Sequence, residues 1–267
     1  MDYVVMAREL ELAEAAGVAE CVAAMEVQTR TEPMGSGWLV DDGRDNGMSQ
    51  AYGLGFDGAV TDEEIEQVTA FFRSGQRLPR VGVCPYADPS LFKVLRRQGY
   101  GLERFRNVLV REIAPDAPIR DHNKGVEVRE VPKEDAQAVM AVSRVIAGGF
   151  GEGKIPPDEQ LWGMRGLILQ PSARTFEAWV DGERVGGGVM AFAGNRIALF
   201  AASTMPDARR RGVQTALIKA RLEAGRQMGA RWATIQAEPG VATRRNSQRL
   251  GFWLAYTNAT CVLPAAE

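Results

Sequence analysis

The chain has 267 residues, 45% of them hydrophobic and 25% charged, with a formal net charge of −2 at pH 7. That is the make-up of a soluble globular protein with room for one large domain or two ordinary ones, and so small a net charge gives no general attraction to nucleic acid or an anionic membrane. The longest apolar runs, such as GGGVMAFAG, are too short to span a bilayer, and MDYVVMARELELAEAA carries acids too early for a signal peptide.

The three cysteines, Cys21, Cys84 and Cys261, are odd in number and widely spaced, which reads as reduced thiols in a cytoplasmic protein. With His122 as the single histidine, Ser-His, Cys-His and multi-His zinc mechanisms have no partner residue, and no metal is expected.

In chain order, apolar steps of three and four predict a helix through Leu12, Ala15, Ala19, Val22 and Ala23. Short strands follow in SGWLV and AYGLGF, then a helix in TDEEIEQVTAFFRSG, a strand RVGVCPY, a helix DPSLFKVLRRQG and a strand FRNVLVREI. REIAPDAPIRDHNKG, with two prolines and no periodicity, marks a linker at 113–124 between domains at 1–112 and 125–267.

The second half opens with a strand VEVREV, a helix at 134–147, a Gly-rich loop GGFGEGKIPP and a helix DEQLWGMRGLIL. Strands TFEAWVDG, ERVGGGVMAFAG and RIALFAAST come next, then DARRRG and a helix to about Met228 with a stripe of Val213, Leu217, Ala220, Ala224 and Met228. A strand WATIQAE, a helix VATRRNSQRLG and a strand FWLAYTNATCVL close the chain. The class is α+β or α/β, with helices on both faces of each sheet. Residues 80–110 and 232–262 share one order, with Gly99-Tyr100 opposite Gly251-Phe252, which reads as a weak internal duplication.

Arg209, Arg210 and Arg211 stand where a helix dipole is already positive, a placement that weakens the helix unless an anion binds there. About four backbone N–H groups at such a terminus lack partners, Gly212 lets the chain turn closely, and a phosphate accepts several donors at once. No G-x-x-x-x-G-K-[ST] is present, so this is not a nucleotide P-loop. The first half has Asp62, Glu63 and Glu64 at the matching place, which would repel an anion.

STMPDARRRGVQTALI after a strand, with NSQRLGF some 30 residues on, resembles the GNAT superfamily of acyl-CoA-dependent N-acyltransferases over about residues 125–263. The resemblance implies two GNAT-like domains, each a mixed, mostly antiparallel twisted sheet flanked by helices, with the first degenerate. It implies acetyl-CoA as co-substrate. Its pyrophosphate would lie on Arg209, Arg211, Gly212, Val213, Gln214 and Thr215, and its pantetheine on the main chain of Ser203, Thr204 and Met205, with Asn246 near the coenzyme. Gln214 departs from the family's second glycine. A backbone N–H would polarise the thioester carbonyl, and a primary amine would attack directly.

The glutamate common in the strand before the loop is absent from IALFAAST, and the family's tyrosine position holds Ser247. Glu238, at the end of the strand across the gap, is the expected substitute base, with Ser247 or Tyr256 as the acid. The loop at 148–162, with Glu152, Asp158 and Glu159, is the expected acceptor side, and Trp162 is expected to pack its helix. A non-catalytic acyl-CoA-binding module and, further off, a scaffold for an acidic partner protein are the alternatives.

Overall fold

A computed structural model describes residues 2–25, 27–44, 48–119, 125–240 and 242–265. His122 and the rest of 120–124 lie outside the described residues. The chain divides into two compact units after Val108 and again after Trp253, so that 254–267 counts with the first unit.

The first unit begins with α1 (Tyr3–Ala23), capped by Asp2, whose Oδ1 accepts the N–H of Val4 at 2.9 Å. Its buried face holds Ala7, Leu10, Ala15, Ala19 and Val22. Then come β1 (Arg30–Met34), β2 (Gly37–Asp41), β3 (Gln50–Tyr52), α2 (Asp62–Ser74), β4 (Arg80–Val83), α3 (Pro89–Arg97) and β5 (Gly101–Glu112), which runs through the unit boundary; β11 (Trp253–Val262) completes the sheet. The order is β1-β2-β3-β4-β11-β5, with β3 and β4 parallel and the β1–β2, β2–β3 and β4–β11 pairs antiparallel. The periodicity shows no sign of β1. Its sequence RTEPM carries charge and Pro33, which fits an edge strand rather than an alternating one.

The expected division placed 254–267 with the second half. In the structure its side chains are tied to the first unit: Tyr256 Oη and Asn258 Nδ2 each donate to Glu11 Oε1 at 2.8 Å. Thr260 Oγ1 also donates to Gln50 Oε1 at 3.3 Å.

The second unit contains β6 (Glu127–Val131), α4 (Ala136–Phe150), α5 (Trp162–Leu169), β7 (Ala173–Val180), β8 (Glu183–Ala193), β9 (Arg196–Thr204), α6 (Val213–Gln227), β10 (Trp232–Ala237) and α7 (Ala242–Arg249). Its sheet runs β10-β9-β8-β7-β6, antiparallel except for the β10–β9 pair. One face packs Val139, Val142 and Ile146 of α4 and Ile168 of α5 against Val131, Ala173 and Val189. The other packs Val213, Leu217, Ile218 and Leu222 of α6 against Phe176, Ala178, Met190, Ile197 and Leu199. Burying each of the larger of these side chains contributes about 1.5–3 kcal/mol, so the sheet that carries the candidate site is held from both sides. Among the described residues, no helix is long and apolar enough to cross a membrane.

Candidate active site

Two parallel strands and the helix between them frame the site. The β9–β10 register runs from Arg196↔Trp232 to Leu199↔Ile235 and stops there, although β9 continues to Thr204 and β10 to Ala237. Beyond Leu199 the strands have parted. A β-bulge lies at that point: Gly187 pairs with Ser203 and Val189 with Phe200, so Gly188 faces two residues, Ala201 and Ala202. Ala201 has φ +45°, the left-handed conformation of many bulges. The added twist turns the end of β9 away from its neighbour.

The β9 edge is set by alternation. Met205 N–H donates to Val185 O at 2.8 Å, towards β8. Thr204, one residue earlier and opposite Gly186, then turns its N–H and C=O away from β8, to the side that β10 has left. Ser203 Oγ donates to Ile146 O of α4 at 2.7 Å, which anchors this edge to the helix behind it.

After β9 the chain makes a short 3-10 turn at Pro206–Ala208 and enters α6 through Gly212. Gly212 sits at φ +84° and offers no side-chain cap. The first intrahelical bond is Ala216 N–H to Gly212 O at 3.0 Å, so helix geometry gives the N–H groups of Val213, Gln214 and Thr215 no acceptor within the helix.

The three arginines are arranged differently from one another. Arg209 makes a two-point pair with Glu152 at 2.7 and 2.8 Å and donates to Gly149 O at 3.1 Å. That pair holds the Glu152 carboxyl below its usual range. Arg211 pairs with Asp181 at 2.7 Å. Arg210, at φ +64°, has no ion pair among the described residues. Both pairs are solvent-exposed and add little to stability. A phosphate that takes charge-assisted bonds from the same guanidinium and from the helix amides can displace them.

Gln214 has a structural reason. Its Nε2 donates to Thr243 Oγ1 at 3.1 Å, and Asn246 Nδ2 donates to its Oε1 at 2.5 Å. The residue that departs from the expected glycine therefore ties the first turn of α6 to α7, and Asn246 serves that tie.

The three expected acid–base residues have different surroundings. Glu238 follows the last residue of β10 and is exposed. Ser247 is fully buried on α7, and its Oγ donates to Thr243 O at 2.8 Å, a bond within the helix. Tyr256 belongs to the first unit and donates to Glu11; burial, then the Glu11 charge, holds its phenol far above the ordinary value. On the loop, Asp158 is paired with Arg144 and Glu152 with Arg209. The single helix expected at 158–169 is a 3-10 turn at Asp158–Gln160 followed by α5, with Leu161 buried at the junction.

The α6 stripe also differs from expectation. Met228, expected on it, is the C-cap and is exposed. Arg221, which the stripe omitted, is 1% exposed. Its spacing was a signal: it lies four residues after Leu217 and three before Ala224, on the buried face. Nε donates to Leu217 O at 2.9 Å, and Nη1 to Val189 O at 2.9 Å and Phe200 O at 3.4 Å. A Cβ on Gly188 would meet Arg221 Cζ at 2.9 Å, so glycine at the bulge gives the guanidinium its room.

Residues 142–252 match the model of the Acetyltransferase (GNAT) family. None of the curated proteins is significantly similar to the chain. A GCN5-related N-acetyltransferase from Kribbella flavida superposes with a TM-score of 0.64 at 19% identity, covering 96% of this chain and 96% of that one. A second, from Sphaerobacter thermophilus, does so with 0.58 at 14% identity, covering 82% of this chain and 73% of that one. A functionally unknown conserved protein from Staphylococcus epidermidis gives 0.52 at 12%, covering 76% and 80%. At such identities the likeness is one of fold. The family match spans most of α4 through α7, including the parted strands, the bulge and the arginine loop, so the likeness to the GNAT acetyltransferase family lies in residues 142–252.

Proposed function

We propose that the second unit transfers an acyl group, in the first instance acetyl, from acyl-CoA to a primary amine by direct attack, in the cytoplasm. The observation that carries this reading is the glycine-led, uncapped N-terminus of α6 beside the point where β9 and β10 part. The residues suit the co-substrate: the main-chain N–H groups of Val213, Gln214 and Thr215 with Arg209, Arg210 and Arg211 for the pyrophosphate, and the edge of β9 that Thr204 turns outward for the pantetheine amides. Ser203, which the same alternation turns to Gly187 of β8, and Met205, whose N–H is held by Val185 and whose C=O accepts from Ala208 N–H at 3.0 Å, contribute less.

The Phe200 carbonyl reaches Arg221 together with Val189 O of β8, so it points to the β8 side. A trans peptide then sets the Ala201 N–H on the opposite side, towards the gap. That N–H is the donor for the thioester carbonyl, in the manner of an oxyanion hole. The amine nitrogen bonds to the carbonyl carbon, the C–S bond breaks, and the amine's proton leaves to a base. Glu238 is the carboxylate at the end of β10 and takes that role. Neither Ser247 nor Tyr256 has a free hydroxyl proton to give, so the thiolate, stable at neutral pH, leaves unassisted or through water. The first unit is then a degenerate GNAT-like domain in a tandem chain.

The committed hydroxyls also favour one alternative, a non-catalytic acyl-CoA-binding module. Acetyl-CoA at about 100 times its Kd should stabilise the fold by roughly 2.7 kcal/mol, a rise in melting temperature of about 5–11 °C for a chain of this size. No rise at millimolar acetyl-CoA removes both readings. A mass-spectrometric screen of amines with acetyl-CoA separates them, because the binding module gives no product.

A further inference from the structure

Arg221 stands inside a hydrophobic core with no carboxylate beside it. Among the described residues it makes no ion pair, and its donors go to three backbone carbonyls, of Leu217, Val189 and Phe200. A buried charge of this kind is costly, and an apolar side chain of similar volume usually serves a core as well or better. Leu217, Ile218 and Leu222 pack around the same helix. The surroundings are shaped for the cation: Gly188 would collide with it if it carried a Cβ. Burial pushes the guanidinium down to about 9, so it stays cationic at neutral pH.

Its position explains the cost. The bulge takes Ala201 and Ala202 out of the β8–β9 ladder, and Arg221 fills the fault with Nη1 bridging Val189 O on one strand and Phe200 O on the other. The Phe200 carbonyl and the Ala201 N–H belong to one peptide group. A cation that draws electrons to the carbonyl oxygen makes the N–H at the far end a stronger donor. That N–H faces the gap beyond Leu199↔Ile235.

We propose that Arg221 is a positioning residue for acyl transfer: it holds the β9 bulge in shape and polarises the Phe200–Ala201 peptide, so that Ala201 N–H grips the acyl carbonyl. The inference rests on the acyl-CoA reading above, and it adds a remote charge to a site whose exposed residues supply no obvious acid. Arg221 touches neither substrate, so its removal should alter how strongly the carbonyl is polarised rather than how tightly the coenzyme is held.

The test uses the full chain and acetyl-CoA labelled with ¹³C at the carbonyl, read by isotope-edited infrared spectroscopy. In wild type the bound carbonyl should absorb at lower frequency than free acetyl-CoA. Arg221→Gln keeps donors but loses charge; Arg221→Lys keeps charge with fewer donors. The Gln variant should bind acetyl-CoA within about 3-fold of wild type, with the carbonyl returned towards its free frequency, while Lys retains most of the shift. With an amine acceptor, kcat should fall about 10-fold or more in the Gln variant at an unchanged KM for acetyl-CoA. A folded Gln variant with the wild-type frequency overturns the proposal and leaves a role in packing alone.

Should neither variant fold, the peptide can be read in wild type. Phe-Ala occurs only at 192–193 and 200–201, so ¹³C-carbonyl phenylalanine with ¹⁵N-alanine marks two amides. Acetyl-CoA should move one of them downfield, and the idea fails if neither moves. If wild type does not bind acetyl-CoA at all, the acyl-transferase reading fails first and takes this inference with it, an outcome distinct from normal binding with an unmoved carbonyl.

Discussion

The helices α2 and α6 occupy the same place in the two units and end differently. Each follows one strand and precedes a parallel one, β3 to β4 and β9 to β10. The next helices also stop alike: Tyr100 N–H bonds to Leu95 O at 2.9 Å and Phe252 N–H to Ser247 O at 3.1 Å, after Gly99 and Gly251 at φ +83° and +82°. At the N-termini the likeness breaks. Thr61 and Glu64 close a capping box on α2, with bonds of 3.3 and 2.8 Å, and Asp62, Glu63 and Glu64 match its dipole. On α6, Gly212 supplies no side-chain cap and three arginines oppose the dipole. A helix that satisfies its own first turn is built for stability; one that leaves it open and adds positive charge is built to receive an anion.

The largest effect should come from making α6 resemble α2. Gly212→Asp places a carboxylate where phosphate is expected and forces a side chain into φ +84°. Calorimetry should find acetyl-CoA binding weakened by about 3 kcal/mol, roughly 100-fold or more. Thr61→Ala, which opens the α2 cap, should cost about 1 kcal/mol of stability and leave binding untouched. Equal loss of binding in two folded variants would erase the distinction between the helices.

Next in size is Glu238→Gln. It should lower kcat/KM by roughly 100-fold near neutral pH, with partial recovery at high pH where the amine is deprotonated unaided, and with acetyl-CoA affinity unchanged. Full activity at neutral pH would make Glu238 a surface residue only.

The first unit has its own pH signature. Burial pushes the Glu11 carboxyl up to about 7 from 4.5. A carboxyl whose folded value is raised adds stability that is complete below about 4.5 and fades as pH rises through about 7. Denaturant melts from pH 5 to 8 should show a loss of at most ~3 kcal/mol, and Glu11→Gln should flatten that slope. A wild-type curve already flat would mean that Glu11 is ionised in the folded protein throughout.

The smallest effect belongs to the tie between α6 and α7. Gln214→Ala removes the bonds to Thr243 and Asn246 and should cost about 1–2 kcal/mol, while the main-chain N–H of residue 214 remains and acetyl-CoA affinity moves by less than about 3-fold. A large loss of affinity would assign the Gln214 side chain to the coenzyme itself.

The elements of the fold were readable where pattern and local chemistry agree: α2 announces its cap in TDEE, and α6 its loop in RRRG. What was hidden depends on partners far along the chain. Pro33 and the charges of β1 obscure a strand that exists because β2 pairs with it. Nothing local in FAAST predicts a bulge, which arises from how β9 meets the glycines of β8. Tyr256 could be offered as an acid because its partner Glu11 lies 245 residues away. Arg221 was visible only as a charge at a core spacing, and its carbonyl partners come from other strands.

The place of β11 has a consequence in time. It lies between β4 and β5 in the first unit's sheet, yet it is made last. During synthesis at roughly 5–20 residues per second, the first unit waits on the order of ten seconds for the strand that fills its middle. Meanwhile β4 has one edge unpaired, and open strand edges invite wrong partners. The order in which this chain is written is therefore not the order in which it can be finished: the earliest unit to emerge is completed only by the last strand.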